Sequence, residues 1–223
     1  MKTSMSKQNT LGKKLYELSD KIKPVLGVDI YKPVQQLSFN IKHFLDFDLY
    51  MDTADRRLLE QVIIPYFITT EEFHKILFVG CDWYTKHYKK VFASKEYWTI
   101  EIDPAKARYG SPTRHITDGV QNIDAHFNNN YLDLIVCNGV LGYGLNNKED
   151  IEETFSKCFQ SLRNGGILIL GWNDMPEYKF LPLQDYKSLK KFQPYVFPEL
   201  STSQYFTNTD NNHIYNFYIK QSA

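Results

Sequence analysis

The feature that most restricts the fold of this 223-residue chain is a series of short runs, mostly apolar or rich in β-forming residues, separated by amphipathic stretches. The runs occupy residues 75–80, 97–103, 131–138 and 167–170. Continuous apolar runs of this length are typical of strands that are buried on both faces of a parallel sheet. The chain therefore reads as a set of buried strands joined by helical connections.

The connections support the same interpretation. Asn147 and Asp150 are spaced like a capping box, and apolar residues then recur at helical spacing up to Gly165-Gly166, which we expect to end that helix. Residues 213–219 alternate between apolar and polar, as an antiparallel last strand does. The order of elements predicts an α/β fold, a Rossmann-like doubly wound sheet, mostly parallel with an antiparallel last strand and helices on both faces.

The first fifty residues follow a different pattern. Leu11, Leu15, Leu18 and Ile22 recur at helical spacing, and a segment rich in aromatic residues follows them. We expect residues 1–51 to form an N-terminal helical and aromatic extension or cap, although a mobile terminus is an open alternative. The main domain is predicted to span residues 52–223, with a first helix that ends near Pro65.

Composition excludes several classes of function. Lys+Arg and Asp+Glu both number 26, so the chain lacks the basic excess of a simple nucleic-acid binder, and a nucleic-acid partner is unlikely on this ground. The three cysteines lie far apart, which predicts reduced thiols rather than disulfides or a metal site. We find neither a secretory signal nor the roughly 20 apolar residues of a membrane helix. These observations predict a cytoplasmic protein with no membrane or metal association.

Ligands of an open α/β sheet bind at the carboxyl ends of its strands. Gly80 closes the first run and permits a tight turn toward an anionic ligand, although a plain turn is equally compatible. Glu101 follows 21 positions later, where a carboxylate can accept the hydroxyls of an adenosine ribose or simply be solvated. Asp103 precedes Pro104 and is assigned to a helix cap.

Two further strand ends carry polar or glycine-rich segments. Asp118-Gly119 is either a plain turn or an acceptor for an adenine amino group. Asn138 is followed by three glycines within residues 139–144, which permit close approach of the backbone to a ligand, and Tyr143 is expected at the mouth of the site.

At these residues the chain resembles a class I S-adenosylmethionine-dependent methyltransferase of the small-molecule type, over roughly residues 73–172. The matching stretches are 76–81, 100–104, 117–119, 132–141 and 162–170. The resemblance implies S-adenosylmethionine as cofactor and assigns residues 52–223 to the domain that binds it. The implied contacts are Gly80, Cys81 and Asp82 at the methionine part, Glu101 at the ribose, Ile102, Asp118 and Gly119 at adenine, and Asn138 and Gly139 near the methyl group.

The glycine loop departs from the family pattern Gly-x-Gly-x-Gly. Asp82 and Tyr84 stand at the later glycine positions, and Phe78 stands where the family commonly has an acid. Asp82 either replaces that acid and accepts the ligand's ammonium, with Trp83 or Tyr84 as a wall, or the pocket is degenerate. We favour the first interpretation because the acids assigned to ribose and adenine are both retained.

The function that the resemblance implies is methyl transfer to a sugar, lipid or metabolite oxygen or nitrogen by in-line displacement. No motif identifies a catalytic residue; the candidates to act as a base or to position the acceptor are His115, His126, Asp174, Tyr143 and Trp172. The alternative is a non-catalytic binding or scaffold protein with a degenerate cofactor pocket, and a nicotinamide enzyme is a third, weaker hypothesis.

Overall fold

The computed structural model describes Gln36, residues 48–178 and residues 182–221. The chain divides into two compact units, Met1–Tyr50 and Met51–Ala223, and the second carries everything described below. The predicted extension over residues 1–51 lies outside the described residues, apart from Gln36 and residues 48–51. That extension, and the division of the chain at residue 52, stay predictions.

The second unit is built on an 8-stranded sheet. Its strands are β1 Lys75–Val79, β2 Glu96–Glu101, β3 His115–Thr117, β4 Leu132–Asn138, β5 Leu162–Asn173, β6 Gln193–Pro194, β7 Gln204–Phe206 and β8 His213–Ile219. They are ordered β3-β2-β1-β4-β5-β8-β6, and β7 also pairs with β8. Strands β1 to β5 pair in parallel, whereas β8 is antiparallel to β5. This confirms the predicted, mostly parallel sheet with an antiparallel last strand.

Helices and short helical turns connect the strands. They are α1 Ala54–Leu58, a π-helical turn Leu59–Ile63, α2 Ile64–Thr69, α3 Tyr88–Val91, α4 Lys148–Ser161, and the 3₁₀ turns Trp83–Thr85, Pro104–Tyr109, Val120–Ala125, Leu183–Asp185 and Leu189–Lys191. Successive residues of a strand face opposite sides of the sheet. Ile135 accordingly belongs to the core that includes α4 residues, and Val136 belongs to the core that includes α1–α2 residues. The prediction of helices on both faces is confirmed.

Two predicted helix ends are wrong. The first helix does not end near Pro65; helical backbone runs without a break from α1 through the π-helical turn into α2 and ends at Thr69. Helix α4 ends at Ser161, and Gly165-Gly166 lie inside β5 instead of ending the helix. Gly165 has a φ of +75°, so this irregular stretch of the strand favours glycine for its backbone conformation. The predicted cap of α4 is confirmed, because Asn147 Oδ1 accepts a hydrogen bond from Asp150 N at 2.8 Å.

Candidate functional site

The carboxyl ends of β1, β2 and β4 open into a cavity of about 450 Å³. All the residues that the sequence assigned to a ligand site line it: Gly80, Cys81, Asp82, Glu101, Ile102, Asp118, Gly119, Asn138 and Gly139. They come from four separate segments of the chain. The sheet brings them together because parallel strands present their carboxyl ends at one edge.

The turn after β1 depends on its glycine. Gly80 has a φ of +85°, which side-chain-bearing residues rarely adopt, and its N–H donates to Ile100 O at 2.9 Å. The next amide, Cys81 N, donates to Glu101 Oε2 at 2.9 Å. The turn is therefore fastened to the end of β2 by a backbone hydrogen bond and a side-chain hydrogen bond.

Glu101 lines the cavity at the end of β2. Its second oxygen, Oε1, accepts a hydrogen bond from Asp103 N at 2.9 Å. A carboxylate offers about four lone-pair sites, so two remain after the bonds to Cys81 and Asp103. The neighbouring Ile102 lines the cavity and is 64% exposed, which leaves an apolar surface beside the carboxylate.

Asp118 is held by its own turn. Its Oδ1 accepts hydrogen bonds from Asn122 Nδ2 at 2.8 Å and Gly119 N at 2.7 Å, and its Oδ2 lies 2.8 Å from His126 Nε2. These hydrogen bonds, that from Asn122 foremost, hold the pKa of Asp118 below its usual value. Asp118 therefore lies in a local hydrogen-bonded network at the end of β3, and the contact with adenine stays a prediction. His126, which the sequence analysis named as a candidate base, is the residue that pairs with Asp118 Oδ2.

At the other end of the glycine turn, Asp82 already has a cationic partner. Its Oδ1 accepts a hydrogen bond from Trp83 N at 2.7 Å, and its Oδ2 lies 2.9 Å from Lys106 Nζ. The hydrogen bond with Asp82 raises the pKa of Lys106. Of the two aromatic residues expected to wall the site, Tyr84 lines the cavity, whereas Trp83 packs edge-on against Tyr84.

Arg56, on α1, is a site residue that the sequence analysis missed. Its side chain lines the cavity and the residue is only 5% exposed. Its guanidinium donates to Tyr88 Oη at 3.1 Å and lies 4.4 Å from the centre of the Tyr84 ring. No described carboxylate bonds the guanidinium directly; Glu60 Oε1 accepts a hydrogen bond from Tyr88 Oη at 2.9 Å and so reaches Arg56 through that hydroxyl. A buried cation without an anion is costly, so this end of the cavity favours a ligand with a negative charge.

Another part of the cavity lining is a network of uncharged polar side chains, of which Asn138, Asn173 and His213 are buried. His213 Nδ1 lies 2.6 Å from Asn173 Oδ1, and His213 Nε2 lies 3.1 Å from Asn138 Oδ1. Asn173 Nδ2 in turn donates to Tyr143 Oη at 3.1 Å. Burial lowers the pKa of His213 to about 4, so its imidazole is neutral at neutral pH.

His213 and Asn173 were also missed, although a signal for them exists. They face each other at the ends of β5 and β8, and His213 is the first residue of the last strand that the sequence predicted as antiparallel. Of the other candidates, Tyr143 lines the cavity, as expected for a residue at its mouth. His115 instead bonds Thr99 Oγ1 within the sheet, and Trp172 is buried in the core.

The described residues provide neither a metal site nor a charged thiol here. Among them, no group of three or more His, Cys, Asp or Glu side chains is arranged to hold a metal ion. Burial raises the pKa of the Cys81 thiol to about 12, so it is uncharged at neutral pH. No helix in the described segments is long and apolar enough to cross a membrane.

Comparison with known proteins gives matches of structure rather than of sequence. No protein-family model and no curated protein sequence matches the chain. The N-methyltransferase NodS from Bradyrhizobium japonicum WM9 superposes with a TM-score of 0.56 at 13% identity, over 76% of this chain and 97% of that one. A further structure of NodS contains S-adenosyl-l-homocysteine.

Two other solved structures have the same architecture. A TehB-like SAM-dependent methyltransferase from Corynebacterium glutamicum gives a TM-score of 0.52 at 13% identity, over 85% of this chain and 97% of that one. An rRNA methylase from Streptococcus thermophilus gives 0.50 at 12% identity, over 78% and 100%. The chain thus has the fold of class I S-adenosylmethionine-dependent methyltransferases, as its resemblance to that family implied. Identities this low establish the fold alone.

Proposed function

We propose that this protein binds S-adenosylmethionine in the cavity and transfers its methyl group to an oxygen or nitrogen of a small-molecule acceptor. The observation that carries the proposal is the convergence of the Gly80 turn, Glu101 and the buried guanidinium of Arg56 on one cavity. The cavity's volume of about 450 Å³ falls within the range of about 300–1,000 Å³ that is common for small-molecule sites.

The amino-acid part of the cofactor has complementary charges available. Arg56 supplies a buried cation for the carboxylate, and charge-assisted hydrogen bonds of this kind are among the strongest in proteins. Asp82 retains lone pairs beyond its bonds to Trp83 and Lys106, and is assigned to the ammonium. Arg56 thus adds a partner for the carboxylate to the ammonium partner, Asp82, that the sequence analysis named.

The nucleoside part fits the other end of the turn. The two free lone-pair sites of Glu101 suit the two hydroxyls of a ribose, because the other two sites are already filled by backbone amides. The exposed side chain of Ile102 supplies apolar cover for an adenine ring. Among the described residues Asp118 Oδ2 bonds only His126, which leaves a lone pair for an amino group.

The cofactor, when bound, supplies a methyl group on a sulfonium, so the chain's task is to orient an acceptor and to exclude water. We infer a small-molecule acceptor because the chain's net charge is +0, whereas proteins that bind RNA backbones need a basic surface. The rRNA methylase from Streptococcus thermophilus shares only the fold with this chain.

A scaffold protein with a degenerate pocket is the second candidate. It is favoured by Phe78 and Tyr84, which line the cavity at positions where the family pattern has an acid and a glycine. Phe78 is nevertheless buried with its ring against Tyr88, and a cavity of about 450 Å³ remains.

Calorimetric titration with S-adenosylhomocysteine separates the two functions. We expect one ligand per chain and a rise in the midpoint of thermal unfolding, because a ligand that binds only the folded state stabilises it. Folded protein that gives no heat and no thermal shift at millimolar S-adenosylhomocysteine would exclude the methyltransferase and favour the scaffold.

A further inference from the structure

The hydrogen bonds around His213 cannot all form with a neutral imidazole. Its two ring nitrogens face the side-chain oxygens of Asn173 and Asn138, at 2.6 and 3.1 Å respectively. Both oxygens are acceptors, but a neutral imidazole carries one N–H. One of the two amides must therefore turn by 180° and donate its NH₂ to the unprotonated ring nitrogen, unless the ring is charged.

The groups around His213 favour the neutral ring. Burial is the largest influence and lowers the pKa of His213; the carboxylate of Asp55 opposes this effect, and the guanidinium of Arg56 adds to it. On its own strand, Tyr215 packs against the imidazole with ring centres 4.7 Å apart. From β4 and β5 the ring meets only uncharged amides. A neutral ring has two tautomers. With the proton on Nδ1 the amide of Asn138 must turn, and with the proton on Nε2 the amide of Asn173 must turn.

The distances select between the tautomers. The contact of 2.6 Å at Nδ1 is the shorter one and suits the N–H donor, so Asn173 keeps its oxygen toward the ring. The contact of 3.1 Å at Nε2 is then the one where the amide turns, and Asn138 Nδ2 donates to Nε2. Asn138 lines the cavity, and its other amide position has no hydrogen-bond partner among the described residues.

We infer that His213 is a positioning residue: in its neutral Nδ1–H form it turns Asn138 so that Oδ1 faces the cavity and accepts a hydrogen bond from the methyl acceptor. This inference rests on the proposed function and narrows it to acceptors whose nucleophilic atom carries a hydrogen, namely N–H and O–H groups. Such a hydrogen bond fixes the direction of the nucleophile's lone pair, and orientation is a large part of the rate of a displacement.

The inference is tested on the ligand-free chain by long-range ¹H–¹⁵N correlation spectra of ¹⁵N-labelled protein between pH 4 and 8. The loss of one signal in His213→Gln assigns the ring. If that variant does not fold, single replacements of the other histidines among the 6 assign it by difference. We expect a neutral ring at pH 7 with the proton on Nδ1. A charged ring at pH 7, or a proton on Nε2, would overturn the inference.

A second variant tests the partner. Asn138→Asp cannot donate to Nε2 and places a negative charge beside it, so the midpoint of His213 titration should rise by about one to three pH units. The matched control is Asn128→Asp, which adds the same charge at an exposed position, and should leave the midpoint unchanged. An unchanged midpoint in Asn138→Asp would also overturn the inference. Titration of the same samples with S-adenosylhomocysteine reports on the proposed function separately, because the tautomer of His213 is read without ligand.

Discussion

Replacing Arg56 by Gln should separate ligand binding from folding. Arg56 is 5% exposed, and no described carboxylate bonds its guanidinium directly; Glu60 reaches it through the Tyr88 hydroxyl. In the proposed complex the guanidinium pairs with the cofactor's carboxylate, and removing one partner of such a buried charge pair costs about 2–5 kcal/mol. At about 1.4 kcal/mol per factor of ten, Arg56→Gln should weaken S-adenosylhomocysteine binding by about 30- to 3,000-fold.

Arg56→Gln should change the free energy of unfolding of the ligand-free protein only slightly, or should stabilise the protein. Without ligand, the guanidinium gains one hydrogen bond to Tyr88 and its stacking on Tyr84, and both gains are offset by the cost of burying a charge. A net change within about 1 kcal/mol moves the unfolding midpoint of a chain of this size by roughly 2–4 °C at most. Differential scanning fluorimetry without ligand measures this directly.

The assay compares two ligands by calorimetry. S-adenosylhomocysteine carries the carboxylate, whereas 5′-methylthioadenosine lacks the amino-acid part, so only the first should lose affinity in Arg56→Gln. The control is Arg57→Gln, which alters an exposed neighbour that pairs with Asp52 and should bind both ligands like the parent protein. Equal losses for both ligands, or an unchanged affinity for S-adenosylhomocysteine, would refute the role of Arg56.

Three further predictions follow from individual contacts. Glu101→Gln should weaken S-adenosylhomocysteine and 5′-methylthioadenosine alike by at least about tenfold, because one ribose acceptor becomes a donor; calorimetry that shows a loss for neither would contradict the ribose assignment. Gly171→Ala places a Cβ 1.9 Å from the Asn138 amide atom that faces His213. It should destabilise the fold by about 1–3 kcal/mol in urea unfolding, so a neutral result would mean that Asn138 lies elsewhere. The pKa of His213 is lowered to about 4 in the folded protein, so the imidazole of the unfolded chain binds a proton first as the pH falls. The free energy of unfolding should therefore be highest above about pH 6.5 and should decline toward pH 4. Urea unfolding of His213→Gln should lack that part of the decline, and an identical pH dependence would refute it.

The sheet was predictable because burial on both faces leaves a direct trace in the sequence. Strands β1 and β4 are almost continuous apolar runs, and no other element fits such a run when it is this short. The prediction that the glycines of β5 end a helix was wrong because the local pattern fits two kinds of element. Gly165-Gly166 follows a helix and resembles a helix end, but the positive φ of Gly165 belongs to an irregular strand, and only the pairing with neighbouring strands distinguishes the two.

The sequence by itself determined which cavity residues lie at or directly after the ends of strands. In a parallel sheet, such residues lie at the edge where ligands bind. Gly80, Glu101 and Asn138 were found in this way. The tertiary structure alone decided that Arg56 on α1 reaches the same cavity, that Lys106 already neutralises Asp82, and that His213 is held between two amides. These are contacts between segments that are distant in the chain, and the charge or proton that each side chain carries there depends on burial and on partners that no local pattern encodes.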